Sequence, residues 1–78
     1  MNETLIPLSL VSPGTEVRLV AVRGGQGVRK RLADLGLNIG MTVRVVVLNG
    51  DGPLLLAVKE SRLALGRGLA HKILVQPD

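Results

Sequence analysis

The sequence predicts a mainly β fold: a small, partly open barrel of about five strands, with one short helix after the first strand and a late helical turn. Three observations carry this. Apolar residues make up 46% of the 78-residue chain, and without Phe, Trp or Tyr the core falls to Leu, Val, Ile, Ala and Met, many of them β-branched and suited to strands. Gly, Pro and Asn punctuate these runs at short intervals. One stretch alone, after Gly27, changes to a clear helical period. The length allows a single domain, which at this size buries about 60% of the surface its unfolded chain exposes.

Pro13-Gly14 forms the first turn, with Pro presetting φ and Gly taking the positive φ of a type II turn. Glu16 to Arg23 then alternates as a strand, with Val17, Leu19 and Ala21 on one face and Arg18, Val20 and Val22 on the other. Gly24-Gly25-Gln26-Gly27 breaks it. Val28, Leu32 and Leu35 follow at i, i+4 and i+7, one stripe of a short helix that stops at Leu35, because Gly36 and Leu37 read as a left-handed terminator with an apolar residue behind it.

Asn38-Ile39-Gly40-Met41 makes a second turn. Thr42 to Leu48 is the clearest strand, with Val43, Val45 and Val47 on one face, and Leu54 to Lys59 pairs with it across Asn49-Gly50-Asp51-Gly52-Pro53, read as a long hairpin loop. Ser61 to Leu65 supplies a fourth strand. Gly66 to Lys72 fits one helical turn with Leu69 inward, before Ile73 to Gln76 closes the sheet. The stretch Met1 to Ser12 has no basic region ahead of a long apolar run, so it reads as neither a signal peptide nor a membrane span.

The chemistry-bearing inventory is sparse. There is no Cys, and His71 is the only imidazole, so thiolate metal sites, structural zinc sites and Cys nucleophiles are excluded. Ser9, Ser12 and Ser61 show no spacing that suggests a triad with His71, and the carboxylates are scattered through turns, strand ends and termini; the chain reads as a binding module, not an enzyme. No cofactor site is evident, and the donor set leaves at most a weak contact with Fe(II) or another transition metal. Gly24, Gly25 and Gly27 precede a helix but match neither nucleotide fingerprint, since no Gly-Lys-Ser/Thr follows and Lys30 stands where a third Gly belongs.

Net charge is +4, which favours acidic partners. The basic run Arg29-Lys30-Arg31 is the most distinctive charged feature, although on a helix its members fan around the axis and cannot form one tight cluster. Absence of aromatic residues argues against single-stranded nucleic acid and against a polyproline groove. An acidic protein surface fits better. The candidate contacts are Arg29, Lys30 and Arg31 for steering, with Leu35 and Leu37 as apolar anchors whose alternative role is helix packing and capping.

The stretch from Gly24 to Met41 resembles the signature of the FeoA family: a Gly-rich turn, then Arg31-Leu32, then Leu35-Gly36-Leu37, then Gly40. Asn49 to Pro53 is similar to that family's turn before a strand, and Arg62 to Val75, with Ala70 and Ile73, to its closing segment. Pro13-Gly14 fits as well, so the likeness covers nearly the whole chain. Ile39 stands where members commonly have Pro, Glu60 where Gly is frequent, and Gly68 where Glu is frequent. The resemblance implies an SH3-like barrel and a cytoplasmic accessory of ferrous iron transport. Its expected partner is FeoB, a membrane GTPase-permease, through which it would meet the membrane; no small-molecule substrate is expected. The alternatives are a regulator-associated SH3-like domain, a nucleic-acid-binding small barrel and a self-associating scaffold, with the oligomeric state open.

Overall fold

Alternating aliphatic runs and their turn residues build one antiparallel sheet. The computed structural model describes residues 4–48 and 52–77. Along the chain run β1 (Ile6–Pro7), a single 3-10 turn (Leu8–Leu10), β2 (Glu16–Val22), α1 (Gly25–Asp34), β3 (Thr42–Leu48), β4 (Leu54–Val58), β5 (Ser61–Leu65), α2 (Arg67–His71) and β6 (Ile73–Pro77). The strand order is β1-β6-β2-β3-β4-β5, so the sheet stays open, with β1 and β5 at its edges. Extents of 30 × 29 × 25 Å mean that it curls around its core instead of lying flat. Leu8, Leu19, Leu32, Leu37, Leu54, Leu56, Leu65 and Ile73 fill the interior with Val17, Val43, Val45 and Val75, all of them aliphatic. Each such side chain contributes about 1.5–3 kcal/mol by leaving water.

The extra strand is β1. Its two residues pair with β6, Ile6 opposite Val75 and Pro7 opposite Leu74. Leu8 behind it is fully buried, and the Ser9 hydroxyl lies 3.2 Å from Nδ1 of His71. His71, exposed at the end of α2, thus ties that helix to the N-terminal segment. In α2 itself Ala70 is the enclosed residue, while Leu69 is partly buried against the core.

The face assignments need correction in two strands. In β2 the pairing steps from Leu19 opposite Val75 to Ala21 opposite Leu74, which leaves Val20 as an extra residue. Such a bulge exchanges the faces beyond it. Val22, and not Ala21 as the alternation implied, therefore packs against the core with Val17 and Leu19. In β3 the same step falls between Val45 opposite Leu56 and Val47 opposite Leu55. Val43 and Val45 are buried, but Val47, assigned to their face, is 37% exposed.

Two predicted turns keep their expected places. Gly14 and Gly40 take φ of +89° and +95°. The Asn38–Met41 turn is laid against β2 by two backbone bonds, Leu19 N–H donating to Met41 (2.9 Å) and Gly40 N–H to Leu19 (2.7 Å). The expected long loop between β3 and β4 falls partly outside the described residues. Between β4 and β5 the connection is only Lys59-Glu60, with Val58 opposite Ser61. Lys59 is there the one non-glycine residue with positive φ among the described residues, at +56°. A left-handed L-residue costs about 1–2 kcal/mol, whereas the added unfolded-state freedom of Gly costs about 0.4–1 kcal/mol. Lys59→Gly is therefore expected to stabilise the fold by about 0.5–1 kcal/mol. A lower denaturation midpoint for this variant would contradict the strain.

Candidate functional site: the basic helix and its flanking grooves

The helix that carries the basic run begins with Gly24 as its cap, at φ +104°, and without a side-chain cap. It starts earlier than the apolar stripe implied, because the glycines at 25 and 27 join its first turn. Its end follows the expected terminator. Gly36, at φ +91°, donates to Ala33 (2.9 Å) and Leu37 donates to Leu32 (2.8 Å), the paired bonds of a Schellman motif.

Leu32 is the one fully buried residue of α1, and Val28 packs beside it against the core. Leu35, placed by its spacing on the same stripe, is instead 41% exposed. Leu37 is the reverse case. At 2% exposure it is a core residue, so it meets a partner only from the floor of a groove, not as a protruding anchor. The physical reason is the terminator itself: the left-handed turn at Gly36 folds Leu37 back under the helix and frees Leu35.

Arg29, Lys30 and Arg31 are all exposed, and the fanning expected of them is observed. Arg29 and Lys30 line a groove of about 340 Å³ between α1 and the Asn38–Met41 turn. Leu19, Leu32 and Leu37 form its floor, Val22 and Ala33 its walls, and Asn38 and Ile39 its lip. Arg31 belongs to a separate hollow of about 440 Å³ between α1 and α2, with Gly27, Val28, Gly66, Leu69 and Lys72. Leu35 borders a third hollow of about 330 Å³ facing the β4–β5 hairpin, where Met41, Lys59, Arg62 and Leu63 also lie.

Sequence reasoning missed Val22, Ala33, Asn38 and Ile39. Ile39, 41% exposed, carried one signal: a large aliphatic residue in a turn. The other three come together only because β2, α1 and the turn are folded against one another.

No cluster of three or more His, Cys, Asp and Glu side chains that could hold a metal ion is found among the described residues. Among them too, no helix is long and apolar enough to cross a membrane.

A curled, open sheet of short antiparallel strands, with one helix beside a groove, defines a small SH3-like β module. The FeoA domain model matches residues 6–77, and the chain belongs to that family. A relative from Methanocaldococcus jannaschii, named as an Fe(2+) transport protein A, is 39% identical over 72 residues, spanning 92% of this chain and 87% of its own. The crystal structure of an iron uptake regulatory protein (FeoA) superposes with a TM-score of 0.86 at 34% identity, covering 94% of this chain and 97% of that one. A manganese-dependent transcriptional repressor gives a TM-score of 0.87 at 16% identity, with this whole chain matching 44% of its length; that likeness shows the fold alone.

Proposed function

We propose that this chain is a non-enzymatic, cytoplasmic accessory of ferrous iron uptake that docks on the cytosolic part of a FeoB-like membrane GTPase and modulates transport. The observation that carries this reading is the family match over residues 6–77. The relative named for Fe(2+) transport, at 39% identity, supports it, and so does the FeoA crystal structure at 34%. Fe(II) is the cargo of the system, handled by the partner.

The surface supports docking in physical terms. Arg29 and Lys30 have no side-chain hydrogen bond or ion pair among the described residues, and their charges are free to steer an acidic partner. Arg31 extends the positive face toward α2, and Leu35 adds exposed apolar area at the helix end. Titration of a cognate FeoB soluble domain with the Arg29→Glu, Arg31→Glu variant tests the reading. Binding is expected to weaken at least about tenfold, equivalent to about 1.4 kcal/mol, with the wild-type affinity falling as salt rises. Unchanged binding removes the basic helix from the interface.

A further inference from the structure

We infer that the groove between α1 and the Asn38–Met41 turn takes a short peptide segment of the partner, in which an aliphatic side chain is flanked by carboxylates. This rests on the docking reading above and names what one part of the surface recognises. The floor is made of the core's own Leu19, Leu32 and Leu37, so an inserted aliphatic side chain touches the domain interior directly. Neither of the other two hollows is floored by three core leucines; glycines 27 and 66 line one, and charged Lys59 and Arg62 the other.

The rim sets the charge of the occupant. Among the described residues, Arg29 and Lys30 are its only ionisable lining residues, and no carboxylate lines the groove to neutralise them. Polar groups therefore stand at the edge and apolar ones at the centre, the anatomy of a protein–protein contact. A small metabolite is a poorer match: at about 340 Å³ the groove is at the small end for such ligands, about 300–1,000 Å³, and its floor offers no polar side chain to orient one. Nucleic acid lacks a stacking platform here, since the chain has no aromatic residue.

The test uses the intact chain, the cognate FeoB soluble domain, and fifteen-residue peptides tiling that partner's cytosolic sequence. Ala33, exposed on the groove wall, is replaced by Trp to fill the groove; Ala64, exposed on β5 and away from the groove, is replaced by Trp as a control, and amide NMR spectra report the fold of both. The wild type and Ala64→Trp are expected to bind the domain equally, and Ala33→Trp at least about tenfold more weakly. At least one peptide bearing Leu, Ile or Val beside Asp or Glu is expected to compete with the domain, and to fail when those acids become amides.

Equal binding of Ala33→Trp and wild type overturns the groove while leaving docking intact. Competition only by peptides without acids, or by none, overturns the assigned occupant, as does binding to phosphatidylglycerol vesicles in place of peptides. Failure of the domain to bind the wild type overturns the docking reading, and this inference with it.

Discussion

Replacing Leu32 by Ala is expected to cost about 3 kcal/mol, within the roughly 2–5 kcal/mol seen for buried Leu→Ala changes. The size follows from how α1 is attached. Leu32 is its one fully buried side chain, and its carbonyl accepts the N–H groups of both Leu35 and Leu37 in the terminating turn. The core around it is entirely aliphatic, and the deleted methyl groups leave a void beside Leu19 and Leu37. For a domain of this length such a loss lowers the melting temperature by about 12–24 °C. Thermal unfolding followed by circular dichroism measures it. A variant melting within about 2 °C of the wild type would show that α1 is held by something other than this side chain. Binding should fail along with stability, because the same helix displays Arg29 and Lys30.

Gly24→Ala should cost about 2 kcal/mol or more, for two separable reasons. Its φ of +104° lies where L-residues are strained, and an added Cβ would stand 2.8 Å from Cγ2 of Val28 and 3.5 Å from Cδ of Lys72. Gly36 offers the contrast, with φ of +91° and nothing within 4 Å of the added atom. Gly36→Ala should therefore show the backbone penalty alone, about 1–2 kcal/mol. Combining Gly24→Ala with Val28→Ala separates the causes. The clash disappears in the double variant, so its loss should be smaller than the sum of the two single losses. Strict additivity in chemical denaturation would mean that the approach to Val28 does not matter.

Much of the architecture is legible because punctuation and period agree. Thr42–Leu48 and Ser61–Leu65 form strands with the predicted bounds, and the helix ends where Gly36 and Leu37 require. The bulges at Val20 and Val46 were not legible: both sit in unbroken aliphatic runs, where shifting by one residue leaves the hydrophobic pattern unchanged. The first strand escaped notice for a different reason. Two residues, one of them Pro7, are too few to show alternation, and their place is set by distant β6. For the site, the positions of the cations could be read from local sequence. The groove could not, since Leu19, Ala33 and Ile39 meet only through the packing of a strand, a helix and a turn.

The pairing of Ile6 with Val75 also fixes how the domain meets mechanical load. Because β1 and β6 run antiparallel at the sheet edge, the entering and leaving chains depart side by side. Tension applied through both ends would peel that pair apart one backbone bond at a time, as a zipper opens, instead of shearing many bonds together. The first event under pull would therefore be release of a two-residue strand and the adjoining 3-10 turn, breaking the Ser9–His71 contact while β2 to β5 stay joined.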